Sequence, residues 1–173
     1  MTHDALSLRP LSAGDRAPLV AIFDDWDVIR MTSTFPVRFD AAFADQLIAR
    51  FAGFDGLADA GWAVDFEDAL AGTVSLHRQA PGVYELAYAL GRAYWGRGLA
   101  TRIARLAVDH AAGTLRARRL VASVYHDNPA SMRVLEKLGF RATGEANAEP
   151  NQVRPEPEPV LRYALDLDAE NPA

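Results

Sequence analysis

Apolar and polar positions along this chain follow two rhythms, and the changes of rhythm mark its elements. Leu6 to Leu11 opens with a period-two alternation and predicts a first strand. Ser12-Ala13-Gly14-Asp15 then carries the chemistry of a helix start, a hydroxyl to cap free N–H groups with a carboxylate three residues on, and predicts a helix to about Phe23. Asp24 to Phe35 holds neither rhythm and is expected to be irregular. Asp40 is placed to cap a second helix to about Phe51, with Phe39, Phe43, Leu47 and Phe51 at helical spacing. Gly61 to Phe66 and Gly72 to His77 predict two strands joined by a short turn. Val83 to Leu90 predicts another, and a helical pattern follows from about Arg97 to Ala112. Arg119 to Tyr125 is rich in β-branched and apolar residues and predicts a strand. Pro129 suits the first turn of the next helix, and Gly139 its left-handed end. Phe140 to Glu145 and Val160 to Leu167 predict the last strands. Between them Pro150, Pro155, Pro157 and Pro159 exclude helix and central strand, so residues 146–159 are expected to form an extended loop, and Asp168 to Ala173 a frayed tail. The pattern predicts an α/β (α+β) fold with a mixed, mostly antiparallel sheet, without repeats or an interdomain linker.

Composition narrows this picture. At 173 residues, half of them hydrophobic, the chain is expected to be a single domain with an ample core. No apolar stretch is long enough to span a membrane, and Met1-Thr2-His3-Asp4 lacks the basic start of a secretory signal. With no cysteine there is neither a disulfide framework nor a thiolate zinc site, so no metal is expected and the cytoplasmic compartment is the default. The formal net charge of −5 argues against a general nucleic-acid binder. Arg116-Ala117-Arg118-Arg119 is the one basic cluster, read as a solvated loop or a contact to a terminal phosphate.

Candidate chemistry begins at Trp95-Gly96-Arg97-Gly98-Leu99-Ala100, a small-residue turn between a strand and a helix. Such a turn leaves the first backbone N–H groups of the helix unpaired, with the positive end of its dipole behind them, which makes a site for a phosphate or pyrophosphate. Gly98 and Ala100 have little or no side chain to keep an anion away. Neither G-x-G-x-x-G nor G-x-x-x-x-G-K-[ST] is present, so a dinucleotide fold or P-loop fails on spacing. A second segment, Asn128-Pro129-Ala130-Ser131 running to Gly139-Phe140, begins 28 positions after Ala100.

Together these segments resemble the Gcn5-related N-acetyltransferase (GNAT) superfamily, most closely its RimJ/RimL-type branch. Tyr94-Trp95-Gly96-Arg97-Gly98 is similar to that branch's pyrophosphate loop, Asn128, Ser131 and Gly139-Phe140 to its later motif, and Arg9-Pro10-Leu11 to its opening strand. The resemblance covers roughly Leu6 to Leu167. It implies a GNAT-like sheet in which the strand ending at Leu90 and the strand ending near Tyr125 run parallel and splay apart, with the thioester arm of acetyl-CoA between them.

Acetyl transfer to an amine needs a held thioester, a neutral amine, a donor to the oxyanion and a proton for the leaving thiolate. Backbone amides of Gly96, Arg97, Gly98, Leu99, Ala100 and Thr101, beside Trp95, are the expected pyrophosphate contacts. Backbone groups of Tyr88 and Leu90 would pair with the pantetheine arm as an added strand does. The resemblance adds Asn128 to that arm; as a residue, Asn128 is equally a helix cap. Ser131 is expected to protonate the thiolate, since the tyrosine many relatives carry is replaced here by Leu135, although a helical serine also bonds back to its own helix. Val121 and Ser123 stand where many relatives have a glutamate base. Glu85 is the first candidate in its place, then Glu149 through a water; His126 and His77 are open, and an amine poised near pH 8 can lose its proton to water. Trp26, Met31, Thr32 and Phe35 are expected at the acceptor wall, where Asp24, Asp25 and Asp27 either attract a cation or end a helix. With no cysteine, transfer must be direct. The acceptor is expected to be a primary amine, a protein N-terminal α-amine or a small molecule; oligomeric state, a homodimer included, stays open. The alternative is a non-catalytic acyl-CoA-binding module of the same fold.

Overall fold

The computed structural model describes residues 6–167; the Met1–Asp4 start and the tail expected over 168–173 lie outside the described residues. Strand β1, Leu6–Arg9, leads into a single 3-10 turn at Ala13–Asp15. The Ser12 N–H donates to the Asp15 carboxylate at 2.7 Å, as its spacing predicts, and helix α1 follows over Arg16–Phe23. The stretch expected to be irregular contains one more helical turn, α2, Trp26–Ile29. Asp25 caps it by accepting the Asp27 N–H at 2.9 Å, and burial of Val28 and Ile29 holds a turn too short to be stable alone. Helix α3, Ala41–Ala52, starts where Asp40 accepts the Phe43 N–H.

Strands β2, Asp59–Phe66, and β3, Ala69–Ala80, are longer than expected and joined at Glu67 and Asp68, both left-handed, the geometry of a tight hairpin turn. Strand β4, Val83–Leu90, leads through the glycine loop to helix α4, Leu99–Gly113, and then to β5, Arg119–Tyr125. Helix α5, Pro129–Lys137, is capped by Asn128 and closed by Gly139 at φ 90°. Strands β6, Arg141–Ala148, and β7, Glu158–Asp166, reach further into the proline-rich segment than expected, leaving a loop over 149–157. Pro159 is tolerated because it pairs near the start of β7 with Asn147 of the edge strand β6.

The seven strands lie in the order β1-β2-β3-β4-β5-β7-β6, antiparallel throughout except for β4 and β5. One core, with Leu76, Leu86, Ile103, Leu120, Leu135 and Phe140, fills the face covered by α4 and α5. The other, with Leu19, Phe23, Phe39, Leu47, Ala63 and Leu70, lies under α1 and α3.

The parallel pair positions the candidate site. Only Val83–Arg119, Tyr84–Leu120 and Glu85–Val121 are in register. Beyond them β4 stays paired with β3 as far as Leu90–Gly72, and β5 with β7 as far as Tyr125–Val160. Each strand keeps its outer partner while the two diverge, and a gap opens in the middle of the sheet.

Candidate active site

At the mouth of this gap the chain leaves β4 and turns into α4. Gly96 and Gly98 sit at φ 73° and 74°, which non-glycine residues rarely adopt. A Cβ built on either would meet nothing within 4 Å, so the space over the loop backbone is open. The first helical bond runs from the Arg102 N–H to the Gly98 carbonyl, and no side chain caps the helix. The N–H groups of Leu99, Ala100 and Thr101 therefore face that open space without helical partners. These are the unpaired amides that the sequence assigns to a pyrophosphate. The Trp95 indole N–H donates to the Leu90 carbonyl at 2.9 Å, tying the loop to the end of β4 and leaving that oxygen one lone pair for the arm expected to pair with it. The Arg97 side chain turns back onto β2: its guanidinium lies 4.6 Å over the Phe66 ring and 3.3 Å from Glu67. What Arg97 offers an anion is its backbone.

Across the gap, the Tyr88 hydroxyl on β4 lies 2.7 Å from the Ser131 hydroxyl in the first turn of α5. Ser131 does not bond back to its own helix. Its N–H is accepted by the Asn128 side-chain oxygen at 3.1 Å, so Asn128 is a cap, and the cap leaves its NH2 group with no partner among the described residues. Burial pushes the Tyr88 phenol up to about 12, with the bond to Ser131 acting against that rise, so Tyr88 keeps its proton at neutral pH. Sequence reasoning used only the backbone of Tyr88. Strand parity already groups Tyr84, Leu86 and Tyr88 on one face; what the sequence does not show is that the first turn of α5 brings Ser131 against that face.

The acceptor wall departs from expectation in its charge. Asp24 pairs with Arg38 at 2.8 Å, Asp25 with Arg92 at 3.0 Å, and Asp27 with Arg92 at 3.2 Å and Arg30 at 3.3 Å. The Arg38 guanidinium holds Asp24 below the usual carboxylate range. These carboxylates are matched by arginines rather than free to draw a cation. Phe35 is buried between Phe23, at 5.0 Å, and Phe39, at 4.9 Å, and belongs to the core. Trp26 is 55% exposed on α2, Met31 is half-buried, and the Thr32 hydroxyl donates to the Ile29 carbonyl. A residue that sequence reasoning missed closes this side. Arg154, in the loop over 149–157, donates to the Arg30 carbonyl and to Asp127, both at 2.9 Å, and lies 4.0 Å over the Tyr125 ring.

The remaining candidates are scattered. Glu85 accepts from Gln79 at 3.2 Å, on the sheet face opposite Tyr88. Glu149 and His126 are exposed. The basic run lies at the wrong end of the sheet for a cofactor phosphate: Arg118 donates to the Pro81 carbonyl and Arg119 pairs with Asp166, beside the start of β4.

The sequence pattern of the acetyltransferase (GNAT) domain matches residues 5–141. The chain belongs to this family. Among GNAT relatives, the probable N-acetyltransferase YjcK of Bacillus subtilis (strain 168) is 43% identical over 83 residues, which span 46% of each chain, about half the length of either. The uncharacterized N-acetyltransferase p20 of Bacillus licheniformis is 27% identical over 146 residues, 82% of each chain. In fold, the chain is similar to Mycobacterium smegmatis RimJ in complex with CoA-disulfide, with a TM-score of 0.82, 18% identity, and coverage of 97% of this chain and 85% of that one. It is also similar to the Vibrio cholerae spermidine N-acetyltransferase in complex with CoA and spermine, with a TM-score of 0.77, 18% identity, and coverage of 95% and 97%. The seven-stranded sheet with its single parallel pair is thus a GNAT sheet, and no helix among the described residues is long and apolar enough to cross a membrane.

Proposed function

We propose that this GNAT protein transfers acetyl from acetyl-CoA directly to a primary amine, with the reacting groups meeting in the gap between β4 and β5. The observation that carries this reading is the Tyr88–Ser131 hydroxyl pair, which bridges the gap on the side where a leaving sulfur would stand. Acetyl-CoA supplies the activated acyl group as a thioester. The amides of residues 96–101 hold its pyrophosphate. The free edges of β4 and β5 offer backbone groups to its arm, and the Asn128 NH2 group, fixed by its cap, adds a donor. As the C–N bond forms and the C–S bond breaks, Ser131 passes its proton to the departing sulfur and takes the Tyr88 proton in its place. Tyr88, whose phenol is pushed up to about 12, regains a proton from solvent once CoA leaves.

The acceptor comes from the other face, beneath α2. The pairing of Asp24, Asp25 and Asp27 with arginines favours an α-amine or another monoamine over a polycation. Calorimetric titration with acetyl-CoA, with ATP as control, followed by thiol release across a panel of N-terminal peptides, amino acids and polyamines, tests the reading. Micromolar acetyl-CoA binding with amine-dependent thiol release supports it. Binding without turnover on any amine would leave an acyl-CoA-binding module, and no binding would remove the cofactor site.

A further inference from the structure

A second cluster of chemistry-bearing side chains lies on the acceptor face, one strand away from the gap. The His77 ring joins two residues: its Nε2 is 2.9 Å from the Ser75 hydroxyl and its Nδ1 is 3.0 Å from an Asp59 carboxylate oxygen. A carboxylate accepts only, so Asp59 fixes the neutral ring with its proton on Nδ1, and the bare Nε2 then accepts from Ser75. The three residues step from solvent to interior. The Asp59 side chain is 42% exposed and that of His77 25%, while Ser75 is a buried polar residue in the middle of the sheet.

The surroundings keep one side of Ser75 open. Its register partners are Gly61 on β2, over which the Phe51 and Phe54 rings pack, and Ala87 on β4, so the open side is the one toward Ala87. Ala87 belongs to an interior strand yet is exposed, and so does Ser123 on β5 beyond the gap. An exposed alanine and serine in central strands mean that the sheet face is uncovered there. Ala87 precedes Tyr88, whose hydroxyl marks the sulfur end of the reaction. The uncovered floor is thus where an acceptor amine would stand, with Ser75 at its side.

We propose that Ser75, His77 and Asp59 form a proton relay that takes up the proton released by the acceptor amine, a reading that rests on the acetyl transfer proposed above. As the C–N bond forms, the amine proton passes to the Ser75 oxygen, directly or through a water over Ala87. Ser75 gives its own proton to His77 Nε2, and Asp59 stabilises the resulting imidazolium. The half-exposed ring then releases the proton to solvent. The Phe54 ring, 5.5 Å from His77 and edge-on, limits water on that side. The charged groups that face His77 are Asp59 across β2 and Glu85 across β4, with Glu85 also bonded to Gln79.

The test measures kcat/KM against pH for the best amine of the panel, in the wild type, His77→Gln, Ser75→Ala and Asp59→Asn, with acetyl-CoA affinity by calorimetry alongside. The relay predicts that His77→Gln lowers kcat/KM by about a hundredfold at neutral pH and flattens the acid limb, in line with general-base effects of ~10²–10⁴. Ser75→Ala flattens the same limb. Asp59→Asn, at a half-exposed position that a fold survives, removes the carboxylate that fixes the ring's tautomer and lowers kcat/KM about tenfold. Acetyl-CoA affinity stays within twofold in all three. An acid limb of wild-type shape in His77→Gln, whether the rate is kept or lowered uniformly, overturns the relay and leaves the transferase reading standing. A wild type that turns over no amine overturns both.

Discussion

At the residue scale the proposed mechanism rests on two hydroxyls supplied by different elements. Many relatives place a tyrosine acid on the helix that follows the asparagine, and here that position holds Leu135, fully buried. The structure supplies a phenol from β4 instead. The place of Ser131 in the first turn of α5 was legible because its spacing from Asn128 is local in sequence. Tyr88 was not, because its partner lies 43 residues away and only the sheet brings them together. Ser131→Ala is expected to slow acetyl transfer about a hundredfold, and Tyr88→Phe about tenfold, with calorimetric affinity for acetyl-CoA nearly unchanged. The double variant should lose little more than Ser131→Ala alone, since the two act as one unit; additive losses would separate them. At the loop, Gly98→Glu puts a carboxylate into the open space over the amides and strains a residue at φ 74°. Acetyl-CoA binding should fall below detection while the circular dichroism spectrum is kept, and unchanged affinity would move the pyrophosphate elsewhere.

At the element scale the proposed acceptor site is a short turn clamped by three loops. Helix α2 is tied to the β4–α4 loop by Arg92, through Asp25 and Asp27, and to the β5–α5 and β6–β7 loops by Arg154, through Arg30 and Asp127. None of this was readable from the chain. A four-residue helix has no periodicity to detect, and an arginine in a proline-rich loop looks solvated until the fold sets it against Tyr125. The Arg154 arm of this clamp reaches the proposed acceptor side without touching the β4–α4 loop. Arg154→Met is therefore expected to raise KM for the amine about tenfold, ~1.4 kcal/mol, while kcat and acetyl-CoA affinity stay near wild type. A loss in kcat with KM unchanged would place Arg154 in the chemistry instead. The strand and helix register, by contrast, followed from hydrophobic rhythm, and its errors fell at element ends, where pairing with a neighbour rather than composition decides where a strand stops.

At the scale of the whole molecule, what was legible was what repeats: alternating strands, amphipathic helices and the order of two motifs. Long-range polar pairings were not legible, and they set how the fold responds to acid. Arg9 bridges Asp15 and Asp65 at 2.7 and 2.6 Å, joining β1, the 3-10 turn and β2. This bridge, with the Ser12 N–H, holds the Asp15 carboxyl below its ordinary 3.8. Stability from a carboxylate depressed in this way is present above 3.8 and is lost as pH falls through the lower folded value. His110 acts earlier. Its ring meets Trp62 edge-on at 4.8 Å, its Nε2 is buried without a partner among the described residues, and burial lowers its pKa from the ordinary 6.5. Between that lowered value and 6.5 the unfolded chain takes up a proton that the folded chain refuses, so stability must fall as pH drops below about 6.5 and level off once the folded ring is protonated. Urea midpoints measured from pH 8 to pH 5 should therefore decline in the wild type. In His110→Phe, which keeps a ring against Trp62 and removes the titrating nitrogen, this part of the decline should disappear, leaving the acid loss below about pH 4 to Asp15 and the other depressed carboxylates, Asp24, Asp45 and Asp55. An identical decline in both proteins would assign the first step to some other group.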